Sequence, residues 1–399
     1  MKFQVLGLFS DLMGEETIRR IGEEFIQEIE AGTATPMEWV NSPVDFTKDA
    51  IPLVFIQTGG TEGKFLAQLD KIPQPTILLT HGAMNSLAAS LEILSYLRQQ
   101  DLKGEVIHGE MDYIQQRLVN IQKIKRARLE LSKARLGVIG KPSDWLIASQ
   151  VDAAAAKEKL GLEIVEFPIE ELIELSQKEY EFDDPLVKIL THKKFSPREL
   201  TKALNIYGAL YQLKEEYNLS GLTVRCFDLL EPLQSTGCIG LALLNAQGIP
   251  SACEGDVPAL ISMMILQSLV GEPGFMVNPS QINIFDNSMV VAHCTMPINM
   301  GTDYQLNTHF ESGIGVALDG YLPEQQAMMF KVDASLERYF LSEIEILRNL
   351  SKPDLCRTQI EIKLKEDVGY FLKEPCGNHH IITLKTDLPL MADFMESIQ

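Results

Sequence analysis

Short apolar runs alternate with amphipathic segments along the first two thirds of the chain. Phe3–Phe9 predicts a strand and Glu15–Ile29 an amphipathic helix; Pro52–Gln57 and Pro75–Thr80 predict two more strands. Lys64–Leu69 opens a helix, Asn85–Arg98 is a helix with a polar start, Glu105–His108 is a short strand, and a long basic helix runs from about Met111 to Arg135. Strand–helix alternation of this kind predicts a parallel sheet with right-handed crossovers. The loops TGGT (58–61) and THGAMNS (80–86) then lie at strand carboxyl ends, where such sheets bind ligands, and they make Asn85 a candidate substrate contact. A bare Gly-Gly without the Lys-Ser/Thr pair of a P-loop does not by itself specify phosphate.

The alternation restarts at Arg135–Ile139. It continues through the helix Val151–Leu160, the strand Glu163–Phe167, the helix Arg198–Tyr217, the strand Leu222–Phe227 and the small-residue helix Cys238–Gln247. Val257–Val270 is a strongly apolar helical run, and Met289–Ala292 is a short buried strand ending at His293. Beyond His293 the segments become strand-like: Gly313–Leu318, Ala327–Val332, Arg338–Leu347, Arg357–Leu364 and Ile381–Leu384. Val316–Gly320 is expected to be a hairpin turn with Asp319-Gly320 at its tip. The chain therefore divides into an α/β domain (1–134), a second α/β domain (135–270) and a mainly antiparallel β domain (271–399), a barrel or a sandwich.

Composition narrows the function. The 399 residues are 45% hydrophobic, enough for sizeable cores, and the formal net charge of −20 argues against a general nucleic-acid binder. No run approaches the roughly 18 apolar residues of a membrane span. The N-terminus is expected to be a first strand rather than a signal peptide, and a cytoplasmic location is expected. The six cysteines lack CxxC spacing, against a zinc knuckle or a disulfide framework, so they are expected to be small buried hydrophobes. The basic helix 111–135 is expected to be a solvated face or a subunit contact.

The chemistry concentrates in Cys253–Cys294 and in Cys376–His380. Glu254 and Asp256 stand at the mouth of the apolar helix, where the helix dipole favours negative charge. Acids at a helix start with His293 at a strand end make a candidate metal or proton-transfer site. The same residues have structural readings: Asp256 as a cap or support, His293 as a satisfied core histidine. His379 and His380 alternate faces on a strand, so only one can enter a site. Asp286-Asn287 fits a hairpin turn.

The stretches CFDLLEPLQSTGCIGLALLNAQGIPSACEGDVPAL, FDNSMVVAHCTMP and PCGNHH resemble the L-fucose isomerase and L-arabinose isomerase family, and in particular its shorter fucose-isomerase-like members. LLTHGAMNSLAASLEI and GKPSDWLIAS resemble its first two domains. The resemblance implies two Rossmann-like α/β domains followed by the β domain, and a Mn²⁺-type divalent ion. It implies interconversion of an aldose and its ketose, and a homo-oligomer (trimer or hexamer) whose active sites neighbouring subunits complete. By position, Glu254 matches the metal-binding, proton-transferring glutamate and His293 a metal-ligating histidine. His379 or His380 matches the C-terminal metal ligand, with His379 favoured by the GNH pattern. His309 lies in a loop used near the sugar. The family's second acid falls on Asn278, an amide that can still bind a cation but is a poor base. Asn278 is therefore both a candidate ligand and catalytic residue, and the reason for an alternative: a sugar-binding or regulatory protein, or a different carbohydrate enzyme, on the same scaffold.

Overall fold

The structure, a computed structural model, describes residues 1–11 and 14–398. It forms two compact units, Met1–Arg126 and Ala127–Gln399, with the boundary inside the helix Met111–Leu131. No helix among the described residues is long and apolar enough to cross a membrane.

The first unit is built on five parallel strands: β1 (Lys2–Leu8), β2 (Met37–Val40), β3 (Ala50–Ile56), β4 (Thr76–Leu79) and β5 (Gly104–Ile107). Their order is β2-β1-β3-β4-β5, a doubly wound sheet whose strand order reverses between β1 and β3. The runs are continuous rather than alternating because both faces are buried. Phe3, Val5, Leu53 and Phe55 pack with Ile26, Ile29, Ile114 and Leu118 on one face. Leu6, Leu8, Val54 and Ile56 pack with Ala89, Ile93 and Leu97 on the other. Strand β2 is absent from the sequence reading; it is a four-residue edge strand with Glu38 and Trp39 exposed, too short and polar to stand out. Asn85 belongs to this unit, in a left-handed conformation (φ 59°) just before the helix Ser86–Gln99.

The second unit starts with four parallel strands: β6 (Arg135–Ile139), β7 (Glu163–Phe167), β8 (Gly221–Val224) and β9 (Ser251–Cys253), ordered β7-β6-β8-β9. It continues with β10 (Phe275–Asn283), β11 (Ser288–His293), β12 (Asp303–Asn307), β13 (Ala317–Tyr321), β14 (Gln326–Val332), β15 (Tyr339–Asn349), β16 (Thr358–Leu364) and β17 (His380–Thr383). Six of these close an antiparallel barrel in the order β10-β11-β16-β15-β14-β17. The α/β and barrel parts share one compact unit. The helix Val257–Val270 has a fully buried middle, and Ser262 Oγ on it accepts from the Val332 N–H of β14 at 3.0 Å.

The Val316–Gly320 hairpin is not formed. Asp319 and Gly320 lie inside β13, paired with Gln305 and Tyr304 of β12. Gly320 is there for close approach: a Cβ would fall 2.2 Å from Met296 Cε, and its N–H donates to Thr358 Oγ1 at 3.0 Å. Asp286-Asn287 does form the turn between β10 and β11, with Asn287 at φ 54°.

Ser262→Ala leaves the Val332 N–H unpaired in a dry interior. It is expected to lower stability by about 1–3 kcal/mol in urea unfolding. A change within error would show that this bond does not tie the helix to the barrel.

Candidate active site

Strand β9 delivers Cys253 into the interior of the second unit, and the chain then turns sharply. Glu254 and Gly255 are both left-handed, at φ 61° and 72°. A Cβ on Gly255 would meet Lys141 O at 2.5 Å, so only glycine fits. Glu254 is a non-glycine residue held in a sparsely populated region, the kind of local strain that marks functional sites. The turn is fixed by Ser143 N–H donating to Glu254 O (2.9 Å) and Gly255 N–H donating to Val224 O (3.0 Å). Asp256 then caps the apolar helix, its Oδ1 accepting from Ala259 N–H at 2.8 Å.

Three sequence-predicted residues meet here. Glu254 Oε1 lies 3.4 Å from His379 Nε2 and 3.9 Å from His293 Nε2. One ligand atom from each of Glu254, His293 and His379 lies within 4.8 Å of the others. Both imidazoles are buried. His379 Nδ1 donates to Asp256 Oδ2 at 2.8 Å, and His293 Nδ1 pairs with Thr295 Oγ1 at 3.1 Å. Each ring is thus oriented by its far nitrogen and turns Nε2 toward the carboxylate, as in ligating histidines. His379 Nε2 is buried with no hydrogen-bond partner among the described residues. An orphaned nitrogen facing a carboxylate and a second imidazole fits a first-row divalent cation.

Two residues that the sequence reading missed complete the cluster. Trp145 Nε1 donates to Glu254 Oε2 at 2.6 Å. Lys331, 1% exposed on β14, places Nζ 3.4 Å from Asp256 Oδ1. A lysine inside the apolar strand AMMFKV was the available signal, since lysines are almost never buried unpaired. Trp145 gave none beyond its place in GKPSDW.

The charges follow from this packing. Burial pushes the Glu254 carboxyl up, but His379, His293 and Trp145 outweigh it and hold it at about 2. Burial raises Asp256 as well, and Lys331 and His379 overcome that to leave it an anion. Burial lowers His379, yet its bond to Asp256 and the nearby Glu254 carboxylate raise it to about 9. Burial, then the positive His379, drives His293 down to about 3, a neutral ring.

The other candidates fall in different places. Asn278, on β10, lines the same cavity as Glu254 and His293, and its Oδ1 accepts from Asn378 Nδ2 at 2.7 Å. His309 also lines that cavity, with Nδ1 tied to Ser312 Oγ at 3.0 Å. Glu311 is a cavity carboxyl the sequence reading passed over; burial and the charge of Glu254 raise its pKa. His380 is not brought to the cluster. As the strand period requires, it faces the other way, with Nδ1 on Asn378 O and Nε2 on Tyr370 Oη, both at 3.1 Å, and its ring against Phe371. Burial, then the Lys331 charge, lowers it to about 3, so it is a neutral packed ring with both nitrogens committed.

Two measurements test this geometry. Gly255→Ala is expected to cost about 1–3 kcal/mol or more in chemical unfolding, from the left-handed backbone and the Lys141 contact. An unchanged midpoint would mean the turn is not constrained. The metal-free cluster holds a proton on His379 below pH 9, above the ordinary 6.5. An imidazole ligates only when neutral, so divalent-ion binding at pH 7 should release about one proton. The release should fade as pH passes 9. Titration calorimetry in two buffers of different ionisation enthalpy reads it, and zero release at pH 7 would remove His379 from the ligand set.

No family model matches the chain. It is 23% identical over 390 residues to a sulfoquinovose isomerase from Alkalicoccus urumqiensis, covering 90% of this chain and 87% of that protein. It is 30% identical over 177 residues to the sulfoquinovose isomerase of Clostridium sp. (strain MSTE9), covering 42% and 40% respectively. It is 22% identical over 303 residues to the sulfoquinovose isomerase of Priestia aryabhattai, covering 70% and 68%. The curated relatives named here are thus sugar isomerases, in keeping with the class of enzyme that the motifs around Glu254, His293 and His379 resemble.

Proposed function

We propose that this protein is an intramolecular oxidoreductase that interconverts an aldose and its ketose, an isomerase of the L-fucose/L-arabinose type. The observation that carries the reading is the meeting of Glu254, His293 and His379 in one cluster, beside a cavity that Glu254 and His293 line, each imidazole oriented from behind. These three would hold Mn²⁺ or another divalent cation, which supplies Lewis-acid stabilisation of charge developing on the sugar oxygens. Glu254 is ionised at neutral pH and moves the proton between C1 and C2 of the open-chain sugar, through an enediolate. Trp145 fixes one of its oxygens. Asn278, its carbonyl oxygen already engaged by Asn378, has an amide N–H to offer a sugar oxygen. Burial and then Arg357 lower His309, so a neutral ring faces the sugar hydroxyls. The protein works as a homo-oligomer, a trimer or hexamer with shared sites; the exposed Trp145 and Ile147 are surfaces a neighbour would cover. Six free thiols suit the cytoplasm.

The neutral amide at Asn278 motivates a second reading, in which the site binds a sugar or serves a different carbohydrate reaction.

Protein stripped of metal and reloaded with Mn²⁺ is incubated in D₂O with a panel of aldoses and ketoses, neutral, phosphorylated and sulfonated. Proton NMR reads deuterium entering at C1 or C2. Metal-dependent exchange is expected, reduced about 10²–10⁴-fold by Glu254→Gln. Mn²⁺-bound protein that binds a sugar without exchange would overturn the isomerase reading in favour of the second.

A further inference from the structure

Five of the six cysteines, scattered between positions 226 and 356, line the same cavity. Two sulfur pairs form there: Cys226 and Cys253 at 2.9 Å, and Cys238 and Cys294 at 3.2 Å. The second pair has company. A ring nitrogen of His309 and the two sulfurs of Cys238 and Cys294 all lie within 4.8 Å of one another, and all three residues are buried. Cys356 hydrogen-bonds the Cys294 sulfur from the side. Cys238 opens the helix Cys238–Ala246, Cys294 follows β11, and His309 is held in its loop by Ile314 O and Ser312. The three come from separate segments, so no short spacing motif could announce them.

Thiols packed only as small hydrophobes need no imidazole beside them. Two sulfurs and an imidazole converging on an accessible cavity are the donor set of thiophilic cations. Tetrahedral ligation at a metal–sulfur length of about 2.3 Å sets sulfurs about 3.7 Å apart. The Cys238–Cys294 pair at 3.2 Å has to open only slightly to reach that separation.

We propose that Cys238, Cys294 and His309 form a second cation site, selective for a thiophilic d¹⁰ ion such as Zn²⁺ or Cd²⁺, with a cavity water as the fourth ligand. It is chemically distinct from the oxygen–nitrogen set of Glu254, His293 and His379. Each coordinating thiol passes its proton to the buffer as the metal–sulfur bond forms, and no oxidation is involved. Both sites open on one cavity, so a thiophilic ion would take the imidazole that otherwise faces the sugar. The inference does not depend on the isomerase reading.

The test uses full-length protein kept reduced with a phosphine and preloaded with Mn²⁺. Cd²⁺ is titrated in, and the ultraviolet thiolate-to-cadmium charge-transfer band is followed. A band saturating at one equivalent is expected, present in Glu254→Gln, roughly halved in Cys238→Ser and absent in the Cys238→Ser/Cys294→Ser double variant. His309→Ala should keep the amplitude and weaken the Cd²⁺ affinity at least tenfold. A wild-type protein with no saturating band overturns the proposal whether or not the variants fold. A full band in the folded double variant also overturns it, since the ion would then sit on Cys226 and Cys253.

Discussion

Asp256 is the constraint on which the second unit depends. Its carboxylate is fully buried at the start of a strongly apolar helix, a position no unpaired charge could hold. It persists because it is used from several sides. Oδ1 takes the Ala259 amide and faces the buried Lys331 of β14, and Oδ2 takes His379 at the entry to β17. One side chain thus joins the α/β half of the unit to two strands of the barrel. Removing any partner would strand a charge in a low-dielectric interior, which costs more than the lost bond itself. The barrel's closure and the aim of the His379 ring are therefore one problem with one solution.

The same anion explains why Glu254 can sit where it does. A nearly buried carboxylate would ordinarily take up a proton, and a left-handed glutamate would ordinarily relax. His379, charged through its bond to Asp256, stabilises the ionised Glu254, and the Gly255 turn against Lys141 prevents relaxation. The consequence is a carboxylate kept ionised at the cavity wall beside a neutral His293.

Features whose cause is local were legible in the sequence. The helix Val257–Val270 is observed with the bounds its apolar run predicts, because a buried helix needs no periodic polar face. The Asp286-Asn287 turn and the strand ending at His293 follow from turn chemistry and hydrophobic runs. Features set by distant contacts were not legible. Asp319-Gly320 carries a turn signature but lies in a strand paired with β12, where Gly320 leaves room for the Met296 side chain. His379 and His380 are chemically identical, and only the barrel register and the aromatic ring beside Tyr370 separate their roles. Trp145 reaches Glu254 across 109 residues, and the cysteine pairs close over 27 and 56. No spacing rule spans such intervals.

Asn278 is the point at which the sequence departs from the pattern it resembles, and the charges around it give that departure a physical sense. In the cluster Glu254 and Asp256 are held as anions, facing a protonated His379 and the buried Lys331, whose pKa burial lowers. A carboxylate at position 278 would add a further anion to the same cavity. The amide avoids that charge and is itself held by Asn378.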